Sequence, residues 1–152
     1  MNILVIVGCP EPPALIPSVL YLINQLKKRG DNVIIAANHA AIKLLEVADD
    51  DKHYLKGVGA VGIDDGITGI EGIDKIIAFV HNDGGVSYTV TYKTKYNKDT
   101  YAIVFGKQIN KDYVETLKNN NIEVYTARAF HNPMPIVNKI KELLMNIELP
   151  KE

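Results

Sequence analysis

The chain has 152 residues, 47% of them hydrophobic and 23% charged, with 17 basic residues against 18 acidic. That length suits one domain over 1–152, with enough core to fold without disulfides or a structural metal. A net charge of −1 gives no general attraction to nucleic acid or anionic lipid, and the composition excludes disordered, collagenous and disulfide-rich classes.

Asn2–Val7 (NILVIV) reads as a central parallel strand covered on both faces. Gly8, Cys9, Pro10 and Glu11 end the run too early for a signal peptide, and nothing in the chain approaches the ~20 apolar residues of a membrane helix. The single cysteine forms no internal disulfide and suits a reducing compartment, so a cytoplasmic location is expected. Leu15, Val19, Leu22, Ile23 and Leu26 recur at helical spacing, and Gly30 supplies a left-handed cap. Val33–Ala37 is a second strand and Ala40–Ala48 a helix. Gly57–Gly72 holds six of the eleven glycines and reads as a loop with at most a short helical turn.

Asp74–Val80 is a third strand, Tyr101–Phe105 a fourth and Ile122–Ala127 a fifth, with a helix over Asp112–Lys118. Between strands three and four, Val86, Tyr88, Val90 and Tyr92 alternate with polar residues as in a strand. Two parallel strands need a crossover, however, so topology predicts a helix there. A last helix runs from Ile136 to Met145, and Glu148–Glu152 reads as a frayed tail. The alternation predicts a three-layer α/β/α Rossmann-like fold around a mainly parallel sheet of about five strands.

Ligands of such sheets sit beyond the carboxyl ends of the strands. There the sequence places Cys9, Pro10 and Glu11; Asn38 and His39; His81, Asn82 and Asp83; Lys107 and Gln108; and Arg128, His131 and Asn132. Cys9 is the candidate nucleophile, because the following helix aims its N-terminal dipole at the thiol, with His131 as candidate base. The alternative is a small buried residue at a strand end. Arg128 suits a carboxylate or phosphate, and Asn132, Asn38, Asn82, Asp83 and Glu11 are candidate hydrogen-bonding partners. A zinc site from Cys9, His39, His81 and His131 lacks closely spaced ligand pairs, so no metal is assigned.

Gly57–Gly62 matches G-x-G-x-x-G, but mid-chain and without the strand–turn–helix context that motif needs. The first turn instead reads Gly8-Cys9-Pro10-Glu11-Pro12-Pro13, and prolines lack the N–H donors of a phosphate cradle. No cofactor is therefore assigned. Lys93, Lys95 and Lys98 interleave with Tyr92, Tyr96 and Tyr101, which reads as a solvated helix face or, if exposed, a homodimer contact, ahead of nucleic-acid stacking.

G-C-P-E-P-P at 8–13, A-A-N-H-A-A at 36–41, V-A-D at 47–49, N-D at 82–83 and A-R-A-F-H-N-P at 127–133 resemble a family of small Rossmann-like proteins from methanogenic archaea, domain of unknown function 1890. The resemblance runs nearly end to end. It implies the three-layer fold, a helix over 84–96 and a homodimer, and no established reaction. Cys9, Glu11, Asn38, Asn82, Asp83, Arg128, His131 and Asn132 match its pattern, whereas His39, His81 and the glycine-rich 57–72 segment depart from it. The functional expectation is a small polar or anionic ligand at the carboxyl edge, with no nucleic acid and no membrane. The alternatives are a thiol enzyme or carrier using Cys9 with His131, and a non-catalytic interaction or regulatory protein of methanogenic metabolism.

Overall fold

The computed structural model describes residues 1–147, so the expected tail at 148–152 lies outside the described residues. Six strands are formed: β1 (Asn2–Val7), β2 (Asn32–Ala37), β3 (Gly59–Gly62), β4 (Lys75–Val80), β5 (Asp99–Gly106) and β6 (Glu123–Arg128). Five α-helices connect or follow them: α1 (Leu15–Lys28), α2 (His39–Ala48), α3 (Asp83–Tyr96), α4 (Lys111–Asn119) and α5 (Met134–Asn146). The strands are all parallel, in the order β3-β2-β1-β4-β5-β6. The order reverses between β1 and β4, which makes the gap between their carboxyl ends the topological switch point.

β1 shows why both faces are apolar. Ile3, Val5 and Val7 pack into one core with α1, α2 and α5. Leu4 and Ile6 pack into the opposite core with Val86 and Tyr92 of α3 and Leu117 of α4. The period of two thus feeds two separate helical layers, and a continuous apolar run is what such a strand needs.

The sixth strand corrects the expected five. Gly59–Gly62 has poor strand propensity, yet its backbone pairs with β2 in register from Ile34↔Gly59 to Ala37↔Gly62. An edge ladder imposed by tertiary pairing overrides local preference here. The apparent dinucleotide fingerprint is consequently spent mostly on a strand.

The helix expected over 84–96 is α3. Asn82 caps it by accepting from the Gly85 N–H at 2.8 Å. Its tyrosines fasten the glycine-rich segment. Tyr88 donates to Asp64 Oδ1, Tyr92 to the Ile63 carbonyl at 2.6 Å, and Tyr96 to the Gly66 carbonyl at 2.6 Å while accepting from the Ile70 N–H. Spacing of four residues puts the three phenols on one helical face. The alternation read from sequence is therefore a helix face carrying hydroxyl donors at each turn.

After α2 the chain turns around Asp49, whose buried carboxylate accepts from the N–H groups of His53, Tyr54 and Leu55 at 2.8–2.9 Å. Burial alone would raise the pKa of this carboxyl, but the backbone donors outweigh burial and hold it below the ordinary 3.8. His53 itself is exposed, as its polar surroundings in sequence imply.

Candidate functional site

The strand ends bring the expected residues to one edge but sort them into two clefts. The first, of 520 Å³, lies over the ends of β4 and β5 and is walled by Glu11, Pro12, His81, Lys107, Gln108, Asn110, Tyr113 and Phe130. The second, of 360 Å³, lies over the ends of β2, β1 and β3 against the start of α3, and is lined by Gly8, Cys9, Asn38, His39, Asp64, Asp65, Asn82 and Tyr88. His81 separates them. Its ring lines the first cleft, and its Nε2 donates to the carbonyl of Cys9, whose residue lines the second, at 3.1 Å. A carbonyl only accepts, so this contact places a proton on Nε2.

Cys9 and His131 fall on different sides of this division. Cys9 is half-buried and borders the second cleft. His131 is exposed and packs edge-on against Phe130, with ring centroids 4.7 Å apart, where Phe130 lines the first. The start of α1 is closed by protein, because the Ala14 N–H donates to the Phe130 carbonyl at 2.8 Å and the Leu15 N–H to the Pro12 carbonyl at 3.0 Å. Pro17, in the same turn, has no N–H. Few donors remain there for an anion.

The three asparagines are each engaged at a helix start. Asn38 accepts from the Ala40 N–H at 2.8 Å, Asn82 from the Gly85 N–H, and Asn132 from the Met134 N–H at 3.0 Å. Asn38 and Asn82 are N-caps, each stabilising its helix by about 1 kcal/mol, and Asn132 makes an Asx turn one residue ahead of the Pro133 cap, so these residue types are accounted for without a ligand. Asn38 and Asn82 still border the second cleft, and each keeps an amide group free of its capping bond. Asp83 stands beside Tyr113, whose phenol is raised above 10 by burial first and by this neighbouring charge second.

The electrostatics of the two clefts differ. The second carries the carboxylates of Asp64 and Asp65 and no Lys or Arg in its lining. Hydrogen bonding to Asp64 raises the Tyr88 phenol above its ordinary 10, so it remains a donor at neutral pH. A Cβ added at Gly8 would meet nothing within 4 Å, so the floor of this cleft is open space. The first carries Lys107, whose Nζ stands 4.5 Å from the centre of the Phe130 ring. Arg128 reaches the same corner, with Nε donating to the Lys107 carbonyl at 3.4 Å. Among the described residues neither cation has a carboxylate within ion-pair distance. Glu11 is the one carboxylate among the residues lining this cleft.

Lys107, Tyr113 and Phe130 are the wall residues that sequence reasoning did not single out. Lys107 appears among the polar strand ends, but nothing in its type ranks it above other lysines. Tyr113 falls within the helix expected over Asp112–Lys118 and Phe130 within the A-R-A-F-H-N-P motif, and neither is assigned a role there. Asp64 and Asp65 follow β3, which glycine content conceals. Cys9, His39, His81 and His131 are not assembled into a metal centre: among the described residues no group of three or more His, Cys, Asp or Glu side chains is placed to hold a metal ion. The Lys/Tyr segment offers no stacking surface, because Tyr92 and Tyr101 are buried and Tyr96 is half-buried. Among the described residues no helix is long and apolar enough to cross a membrane.

A family model described as Domain of unknown function (DUF1890) matches residues 4–143. The chain is 84% identical over 147 residues to Uncharacterized protein MJ0452 of Methanocaldococcus jannaschii, covering 97% of this chain and 99% of that protein. The solved structure of MT0777 is 31% identical and superposes with a TM-score of 0.89, covering 97% of this chain and 99% of that one. A dodecameric FMN-dependent Ubix-like decarboxylase from Escherichia coli O157:H7 is 11% identical, with a TM-score of 0.60 over 100% of this chain and 98% of its own, which is a likeness of fold alone. The resemblance read from the G-C-P-E and A-R-x-x-H-N-P motifs is thereby extended over nearly the whole chain: it belongs to the DUF1890 family, whose function is unknown.

Proposed function

We propose that the chain binds a small anionic ligand in the cleft over the ends of β4 and β5. The observation that carries this reading is Lys107, not ion-paired among the described residues, in the lining of a 520 Å³ cleft beside the topological switch point, with the Arg128 guanidinium next to it on the Lys107 backbone carbonyl. Such a cavity has the size of a small-molecule site, and a guanidinium next to an ammonium suits a carboxylate or phosphate. The Nε2–H of His81 is taken by the Cys9 carbonyl, which fixes the ring in the cleft wall. Gln108 and Asn110 line the same wall as neutral donors. The acidic α2–α3 cleft repels the same ligand.

The thiol reading has less behind it. It pairs Cys9 with His131, but Cys9 lines the second cleft, whereas His131 packs against Phe130 of the first. A homodimer remains the expectation drawn from the family resemblance; in the Lys/Tyr segment Tyr92 and Tyr101 are buried and Tyr96 half-buried, so its aromatic rings supply little of such a contact.

The test is a thermal-shift series on the full chain with inorganic phosphate, sulfate and acetate. Stabilisation rising with anion concentration, and lost in both Lys107→Gln and Arg128→Gln, is the expected result. Equal stabilisation of the wild type and both variants removes the reading.

A further inference from the structure

The β4–β5 cleft is not merely basic at its mouth; its walls are aromatic, and they come from three separate parts of the chain. His81 follows β4, Tyr113 belongs to α4, and Phe130 follows β6. Each is held in place by contacts behind it. His81 is bonded to the Cys9 carbonyl and leans on Phe105 at a centroid distance of 5.4 Å. The backbone carbonyl of Phe130 accepts from the Ala14 N–H, and the Phe130 ring is buttressed edge-on by His131. Phe130 is only half-buried and lines the cleft, with the Lys107 ammonium 4.5 Å from the centre of its ring, so the aromatic lining left beside unfilled volume is shared among Phe130, His81 and Tyr113. Ring faces bordering empty space forgo the dispersion contacts that packing would supply, and a flat ligand restores them.

We infer that the ligand of this cleft is a planar aromatic anion, its ring against Phe130 and its anionic group toward Lys107 and Arg128. The inference rests on the anion-binding reading above and adds the substrate class. Lys107 serves both halves: its charge meets the anion, and its position over Phe130 marks where ring and charge adjoin. Glu11, which also lines the cleft, offers an acceptor to an N–H or O–H on the ring, which favours a heterocycle or phenol over a bare hydrocarbon ring. An aliphatic anion of equal size gains only the burial, without the geometric preference of ring against ring.

The test uses three probes on the isotopically labelled full chain, read by backbone amide shifts: inorganic phosphate, cyclohexyl phosphate and phenyl phosphate. Phenyl phosphate is expected to bind about threefold to tenfold more tightly than cyclohexyl phosphate, the range a ring–ring contact supplies. Phe130→Leu, which keeps apolar volume, is expected to abolish that difference between the two organic phosphates. Lys107→Gln is expected to weaken all three probes alike, and a dispersed spectrum verifies that each variant is folded. If the two organic phosphates bind equally in the wild type, the aromatic assignment is overturned and the anion site stands. If none of the three perturbs the cleft, the anion reading itself falls.

Discussion

A β-carbon placed on Gly66 would lie 2.6 Å from the hydroxyl oxygen of Tyr92, so the absence of a side chain at one residue is the condition for the hydrogen bond made by the other. That hydroxyl reaches the Ile63 carbonyl, and the ring is fully buried. Burial, with Tyr96 and Asp64 nearby, pushes the phenol far above its ordinary 10, so it stays a donor throughout the accessible pH range. Gly66→Ala is expected to destabilise the chain by about 1–3 kcal/mol, since Val61 at 2.9 Å closes the other side. Tyr92→Phe, which removes only the buried bond, is expected to cost about 1–3 kcal/mol for the stranded carbonyl. Urea unfolding of both variants provides the check, and an unchanged midpoint for Gly66→Ala would mean that the glycine-rich segment yields freely.

Asp49 makes folding acid-sensitive. Its folded-state pKa lies below the ordinary value, so its contribution is fully present above the unfolded value of about 4 and is lost as pH falls through the lower folded value. The chain is therefore expected to lose stability as pH falls below about 4, with Asp49→Asn less stable at neutral pH and with a shallower acid limb. Unfolding midpoints measured from pH 2 to 7 test this, and parallel curves for the two proteins would count against it.

Gly8 has ordinary backbone geometry and open space where its side chain would be. Gly8→Ala is expected to be neutral or stabilising, by up to about 1 kcal/mol through loss of unfolded-state freedom. The same variant narrows the α2–α3 cleft and is expected to leave phosphate affinity in the β4–β5 cleft unaltered. Calorimetric titration with phosphate separates the two effects.

Cys9→Ala is likewise expected to leave phosphate and phenyl phosphate affinity within about twofold of wild type, because its residue borders the other cleft. His131→Ala is expected to weaken phenyl phosphate by about twofold to tenfold through loss of the edge-on support of Phe130. Equal losses in both variants would restore the cysteine–histidine pairing.

Much of the fold was legible because one pattern answered one environment. Asn2–Val7 coincides with β1 since a strand covered on both faces must be apolar at every position. The helix over 84–96 was legible from topology and from the family resemblance but not from local pattern: its alternating Tyr and Val hide three phenols that serve a single face. β3 was illegible because pairing with β2, and not its own residues, makes Gly59–Gly62 extended. The strand ends correctly gathered the polar residues to one edge. What the sequence could not convey is the direction each loop leaves the sheet, and that direction assigns Cys9 to one cleft and Glu11 to the other. Caps were a second source of ambiguity, since Asn38, Asn82 and Asn132 are the residue types of a helix start as much as of a binding site.

The location of a bound anion tests the central claim most directly. Amide shift perturbations on adding phenyl phosphate are predicted to cluster on Gly106–Asn110, His81 and Phe130, and to vanish in Lys107→Gln. Perturbations centred instead on Gly8, Asn38 and Gly62–Asp65 would contradict the account, because they would place the ligand in the acidic cleft.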